Sequence, residues 1–202
     1  MRVIGLTGGI GMGKSTAARL FRRAHIPVFD ADAAVRAMQA PDGAALPAIA
    51  AAFADTVTRD ARGRRVLDRV ALRRVAFSDP GALLRLEAII HPRVRAAEAS
   101  FLRRARRNRA RAVLLDVPLL FESRGRRRID LVIVVSAPRA VQRARVLRRG
   151  DLSPAQLEAV LARQMSDSQR RRRADVVVRT GLSRQYGAQA IRRVLRTLLD
   201  TE

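Results

Sequence analysis

The sequence has no cysteine and no tryptophan, and aromatic residues make up only 3% of its 202 residues. Without cysteine, the chain forms neither a disulfide nor a thiolate metal site. Its core must be built from alanine, valine, leucine and isoleucine, and an apolar content of 48% is ample for that. A chain of this length predicts one compact unit, or a core with insertions.

Long apolar runs are also missing. The sequence contains no stretch of 18 consecutive apolar residues, which excludes a transmembrane helix. The first residues lack a charged segment followed by an apolar run of signal-peptide length. We therefore expect a cytoplasmic protein with no membrane partner.

Acidic residues are scarce beside basic ones, 18 against 41, and the net charge is +23 at pH 7. A charge of this size favours a polyanionic partner. Two interpretations are open: nucleic-acid binding, or arginine-rich solvated faces that also attract a small polyanionic substrate. Because the sequence shows no zinc finger and no aromatic-bearing RNA-binding sheet, we expect no nucleic-acid partner.

Lysine is nearly absent: Lys14 stands alone, and the other 40 basic residues are arginine. It lies in the stretch Gly8-Gly9-Ile10-Gly11-Met12-Gly13-Lys14-Ser15-Thr16, which matches the P-loop pattern G-x-x-x-x-G-K-[ST]. A short apolar run that predicts a strand precedes it, and helix-forming residues follow. The lone lysine supports a working phosphate site, because a compact ammonium suits this position and a planar guanidinium is not equivalent.

The residue types of this loop predict ATP binding. Glycine lets the backbone approach an anion, and the loop N–H groups and the following helix N-terminus then bind phosphate. We expect Lys14 to reach the β- and γ-phosphates and the Ser15 hydroxyl to bind Mg²⁺. The predicted ATP-binding residues of the loop are Gly9, Gly11, Met12, Gly13, Lys14, Ser15 and Thr16.

Two further apolar runs end in aspartate, at the edge where open α/β sheets bind ligands. The first ends in Asp30, which suits a helix cap, and Asp32 follows two residues later. For Asp32 we favour a chemical role. The second run, 112–115, is followed by Asp116. This carboxylate could help to hold Mg²⁺ through water, or it could cap a helix.

The remaining segments predict two additions to a nucleotide-binding core formed by 1–32, 109–137 and 174–202. Segment 33–108 shows helical patterns and turns without a strand, and His91-Pro92 is predicted to break one of its helices. We interpret it as an inserted helical subdomain. Segment 138–173 resembles the lid of a small-molecule kinase, and its arginines are suited either to a transferring phosphoryl group or to a solvated face.

Six further pieces of the sequence, taken with the loop, resemble the dephospho-coenzyme A kinase family. They are Val28-x-Asp30-Ala31-Asp32, Leu86-Glu87-x-Ile89-x-His91-Pro92, Val117-Pro118-Leu119-Leu120-Phe121-Glu122, Gln142-x-x-Arg145-Val146-x-x-Arg149, Arg163-Gln164 and Arg173-Ala174-Asp175. The loop alone is unspecific, whereas the Asp-Ala-Asp, His-Pro and Pro-Leu-Leu-Phe-Glu pieces together are specific. Met12 departs from the small residue common in the family, and Gly150-Asp151 and Arg179 also differ from its usual pattern.

The resemblance implies an α/β fold of the P-loop NTPase type: a five-stranded parallel sheet flanked by helices, a helical coenzyme-binding insertion and a helical lid. It implies ATP-dependent phosphorylation of the ribose 3′-hydroxyl of dephospho-coenzyme A, with Mg²⁺ as cofactor, in a monomer or weak homo-oligomer. A kinase for another small metabolite, such as a nucleoside monophosphate or shikimate, is the alternative among enzymes. A nucleic-acid-binding P-loop protein is the alternative of another class.

The resemblance also implies roles for single residues. Asp32 is the base or orienter of the attacking hydroxyl, Lys14 acts on ATP, and Arg145 and Arg149 reach phosphates from the lid. The substrate-binding residues implied are Asp32, His91, Leu119 and Glu122. For His91, packing at a helix junction is the favoured alternative.

Overall fold

The computed structural model describes residues 1–118, 120–121, 129–150 and 152–200, apart from the side chains of 77, 78, 80, 163, 184 and 198–200. These residues form two compact units: Met1–Asp30 with Arg104–Glu202, and Ala31–Arg103. In chain order the elements are β1 (Arg2–Thr7), α1 (Lys14–Arg23), β2 (Val28–Asp30), α2 (Ala31–Met38), α3 (Leu46–Ala52), β3 (Val57–Arg59), β4 (Arg65–Leu67), α4 (Arg69–Ser78), α5 (Pro80–Arg107), β5 (Ala112–Asp116), β6 (Leu131–Ser136), α6 (Arg139–Leu147), α7 (Pro154–Arg163), α8 (Asp167–Arg172), β7 (Val176–Arg179) and α9 (Arg184–Asp200). No helix among the described residues is both long and apolar enough to span a membrane.

The first unit is built on a five-stranded sheet in the order β2-β5-β1-β6-β7. All four strand pairs are parallel, as the sequence predicts. Every residue of β5 is buried, which is typical of a parallel strand covered on both faces. Helices α1 and α9 supply Phe21 and Ile191 to the same core as Ile4 and Ile133 of the sheet. Phe21 is fully buried, and such burial contributes about 1.5–3 kcal/mol.

Two aspartates set the register at the amino-terminal edge of this sheet. Asp130 accepts a hydrogen bond from Val3 N at 2.7 Å, and its own N–H donates to Val3 O at 2.8 Å. Asp175 makes the same double contact with Val132, at 2.7 and 3.0 Å. Asp175 belongs to one of the pieces that resemble the family, and its contact here joins β6 to the start of β7.

The second unit contains a β-hairpin that the sequence interpretation missed. Strands β3 and β4 pair antiparallel within segment 33–108, which was expected to contain no strand. The turn between them depends on Asp60, whose Oδ1 accepts from Arg62 N and Arg64 N at 2.9 and 3.0 Å. Gly63 takes a φ of 74°, which glycine adopts without strain. The sequence signal for this turn was an aspartate followed three residues later by glycine. The two strands have three residues each, which is too short to show the alternation of polar and apolar residues typical of a strand.

Helix α5 is continuous through Pro92, so the expected break at His91-Pro92 is wrong. A proline inside a helix removes one backbone hydrogen bond but does not always end the helix. Ile90 and Val94, on either side of it, are both 8% exposed, so packing holds the two halves. Arg93 Nη1 also donates to Ile89 O at 2.7 Å across this turn.

Several helices begin at side chains that cap their first N–H groups. Asp79 accepts from Gly81 N and Ala82 N at the start of α5, as expected of a cap. Ser153 and Gln156 form a capping box at the start of α7. A second capping box, formed by Ser166 and Gln169, starts α8.

Candidate active site

The P-loop spans residues 8–13, between the end of β1 and the start of α1, in the predicted strand–loop–helix order. Gly11 and Gly13 have φ values of 72° and 91°, in the left-handed region. A Cβ on Gly11 would lie 2.7 Å from Val146 Cγ2 and 2.9 Å from Gln142 O. Glycine is therefore required at position 11 for both its conformation and its close packing.

The start of α1 presents the features of an anion site. Gly13 is its N-cap, and none of the described side chains caps it. The start of a helix presents N–H groups that the helix itself does not use, which suits a phosphate, although Thr16 N here donates to Gly13 O at 3.1 Å. Ser15 and Thr16 are exposed at this end. The predicted Mg²⁺ ligand, the Ser15 hydroxyl, is therefore accessible.

Lys14 pairs with Asp116. Its Nζ lies 2.6 Å from Asp116 Oδ1, and the two side chains are 15% and 4% exposed. Strand pairing explains the meeting, because Asp116 ends β5 opposite Leu6 of β1. The structure thus brings together two of the predicted site residues. The role of Asp116 in holding Mg²⁺ stays a prediction.

Arg145, the predicted lid arginine, is tied to the loop that follows β7. Its Nη2 donates to Thr180 O at 2.6 Å and its Nη1 to Thr180 Oγ1 at 3.2 Å. The Thr180 hydroxyl donates in turn to Met12 O at 2.7 Å. Thr180 therefore links Arg145 to the P-loop. Sequence reasoning missed Thr180, since nothing but its place just after a strand marked it.

Met12 itself is part of the core. It is 2% exposed, and its Sδ accepts from Ala137 N at 3.1 Å. The Met12 side chain is thus packed in the core and is not exposed on the surface of the loop. The predicted ATP-binding role of position 12 accordingly concerns its backbone.

A cavity of about 170 Å³ opens beside the loop, between α1, α6 and α9. Its walls combine apolar side chains with cationic ones, among them Thr16, Leu20, Arg145, Arg149, Thr180 and Ile191. The apolar part suits a flat nucleobase and the arginines suit phosphates. Arg145 and Arg149, both predicted from the sequence, therefore lie together on one cavity.

The predicted acceptor-side residues are placed as follows. Asp30 ends β2 beside Asp116, and its Oδ2 lies 3.5 Å from Arg22 Nη2. Asp32 is exposed in the first turn of α2, and His91 is exposed on α5; both belong to the second unit. Leu119 and Glu122 lie outside the described residues.

Comparison with known proteins agrees with this geometry. The family model for dephospho-CoA kinase matches residues 2–184. A Gluconobacter oxydans dephospho-CoA kinase is 50% identical over 198 residues, which cover 96% of this chain and 94% of that protein. One from Paramagnetospirillum magneticum is 55% identical over 171 residues, covering 85% and 78%.

Solved structures share the fold. A Thermus thermophilus protein superposes with a TM-score of 0.81 at 37% identity, covering 98% of this chain and 97% of its own. The dephospho-CoA kinase from Campylobacter jejuni gives 0.67 at 20% identity, with the same coverage, and shows the fold alone. Because the family model matches most of the chain and a named relative is 50% identical over nearly all of it, the chain belongs to the dephospho-CoA kinase family.

Proposed function

We propose that this chain transfers the γ-phosphoryl group of ATP to the ribose 3′-hydroxyl of dephospho-coenzyme A, giving coenzyme A and ADP. The observation that carries the proposal is the ion-paired Lys14 at the head of α1, in a chain that matches a named dephospho-CoA kinase over nearly its whole length. Phosphoryl transfer needs little covalent chemistry from the protein, so catalysis consists of positioning and charge.

ATP is bound at the P-loop. The N–H groups at the start of α1 receive phosphate oxygens, and Lys14 supplies positive charge to the β- and γ-phosphates. The cavity beside the loop receives the nucleoside, with Arg145 and Arg149 at its rim. Because Asp116 already holds the ammonium of Lys14 in one place, little reorganisation is needed when charge develops on the transferring group.

Mg²⁺ fits the donors that are present. The exposed Ser15 hydroxyl and the Asp116 carboxylate are oxygen donors, which Mg²⁺ prefers. Within the described ranges no group of three His, Cys, Asp or Glu residues forms a metal site of its own. This suits an ion that arrives with ATP and keeps several waters. When bound, it neutralises charge on the β- and γ-phosphates.

Asp32 is the proposed base or orienter for the acceptor hydroxyl. An exposed carboxylate in the first turn of a helix is accessible to a substrate. It takes the hydroxyl proton, or directs it, as the oxygen attacks phosphorus. His91, Leu119 and Glu122 are proposed to contact the acceptor, and segment 138–173 to close over ATP and exclude water.

An acceptor panel tests the proposal. Release of ADP is measured with dephospho-coenzyme A, a nucleoside monophosphate and shikimate at equal concentrations. We expect turnover with dephospho-coenzyme A at least a hundredfold above the other two. A preference for another acceptor contradicts the proposed substrate but leaves a small-molecule kinase.

We further propose that the enzyme acts in the cytoplasm as a monomer or weak homo-oligomer, without a nucleic-acid or membrane partner. The alternative, a nucleic-acid-binding function, draws on the net charge of +23. Salt separates the two, because nucleic-acid affinity falls steeply with salt in proportion to the phosphates contacted. Kinase activity that persists at 200 mM salt, where DNA binding is lost, supports the enzyme. Light scattering of the purified protein measures its oligomeric state.

A further inference from the structure

Both backbone polar groups of Ile10, at the crest of the P-loop, are held by glutamine side chains from distant parts of the chain. Gln142 Nε2 donates to Ile10 O at 2.8 Å. Ile10 N donates to Gln164 Oε1 at 3.4 Å. Gln142 lies on α6, and Gln164 is the residue directly after α7. The loop is therefore tied to two elements of the segment proposed to cover ATP.

The neighbouring Gly9 shows how closely this segment approaches the loop. A Cβ on Gly9 would lie 2.8 Å from Arg170 Nη2 and 3.2 Å from both Gln142 Nε2 and Gln164 Oε1. A side chain at position 9 would therefore force the ends of these three side chains to shift. Gln142, Gln164 and Arg170 thus converge on one stretch, Gly9–Ile10.

The polarity of each contact follows from the backbone itself. A carbonyl oxygen only accepts and an N–H only donates, so Gln142 must offer its NH₂ group and Gln164 its oxygen. Gln142 is only 4% exposed. A buried amide is unfavourable unless it is hydrogen-bonded, and an apolar residue of similar size fills space equally well. Gln142 therefore does more than pack.

We propose that Gln142 and Gln164 are positioning residues that fix the Ile10 peptide, so that the N–H groups of the P-loop keep facing the phosphates of ATP. The loop needs such a constraint, because glycines at 8, 9, 11 and 13 leave its backbone free to adopt other conformations. Donors aligned before the ligand arrives need no reorganisation on binding. The inference rests on the proposed binding of ATP at this loop.

The test compares Gln142→Glu with Gln164→Glu. Both variants add one negative charge beside the same peptide, but only Gln142→Glu sets an acceptor against the acceptor Ile10 O. Gln164→Glu keeps an oxygen for Ile10 N. We expect Gln142→Glu to raise the Kd for ADP and the KM for ATP about tenfold or more, and Gln164→Glu about threefold or less. Calorimetry with ADP alone and steady-state kinetics measure the two quantities.

Gln142→Met serves as the uncharged variant of similar length, and it keeps the proposal testable if Gln142→Glu does not fold. It should bind ADP about five- to tenfold more weakly than wild type while melting within a few degrees of it. Wild-type affinity for ADP in folded Gln142→Met overturns the proposal. So do equal losses in the two glutamate variants, which would make charge alone the cause, and so does a lowered melting temperature at unchanged affinity. ADP binding needs no acceptor, so a wrong assignment of the substrate leaves this comparison decisive.

Discussion

Lys14 Nζ and Asp116 Oδ1 lie 2.6 Å apart, which joins the start of α1 to the end of β5. The lysine is the one compact cation among the 41 basic residues of the chain. Its partner is 4% exposed, so the pair is shielded from water on the carboxylate side. Removing one member of a shielded pair is costly to stability, whereas removing both is much less so. A single and a double variant of this pair can therefore distinguish the catalytic role of Lys14 from its structural role.

Lys14→Ala should lose nearly all kinase activity, by roughly a thousandfold or more, since it removes a charge that acts on the developing transition state. It should also lower the free energy of unfolding by about 1–3 kcal/mol, because Asp116 loses its ammonium partner. ADP release and thermal melting measure the two effects. Near-normal turnover in folded Lys14→Ala rules out the assignment.

The double variant Lys14→Ala/Asp116→Asn should recover stability without recovering activity. An amide at position 116 no longer carries the charge that Lys14 balanced. We expect its melting temperature to lie closer to wild type than that of Lys14→Ala. A double variant that is as unstable as the single one contradicts a structural role for the pair.

Asp32→Asn should lower kcat by roughly 10²–10⁴, the span typical of general-base catalysis. Asp30→Asn is the matched control two residues away. Its contact with Arg22 is at 3.5 Å, with side chains 47% and 27% exposed, so it should cost at most about 1 kcal/mol of stability and little rate. Equal, small losses from both variants would mean that neither carboxylate is the base. A large loss at Asp30 alone would reverse the assignment.

Arg145→Ala should lower kcat, and it should also affect the P-loop through Thr180. Its two hydrogen bonds to Thr180 predict a loss of about 1–2 kcal/mol of stability.

Thr180→Val removes the hydroxyl that contacts Met12 O and should raise the KM for ATP several-fold. Arg192→Ala, an exposed arginine of α9, is the control and should match wild type in both kinetics and melting. Wild-type kinetics in Arg145→Ala would assign the lid role to another arginine.

Pro92→Ala should stabilise the protein by about 1–3 kcal/mol, because alanine restores the missing N–H to a helix that already continues through this position. Urea denaturation measures the change. Destabilisation by Pro92→Ala would show that the local geometry of α5 depends on the proline ring.

Much of this protein is predictable from local sequence. The strand–loop–helix around Lys14, the apolar runs that form single strands and the caps at Asp79 and Ser153 each depend on residues within a few positions of one another. Hydrophobic period, glycine conformation and capping preference act at that range. The resemblance to the dephospho-coenzyme A kinase family also follows from short pieces, and the comparisons confirm it.

The tertiary structure decided which side chains meet across the chain. Gln142 and Ile10 are 132 positions apart in the sequence, Lys14 and Asp116 are 102 apart, and Arg145 and Thr180 are 35 apart, yet each pair is hydrogen-bonded. No periodic pattern encodes such pairs, because each depends on how the sheet and its helices pack. The same holds for Pro92, where packing on both sides kept a helix that local preference alone would end.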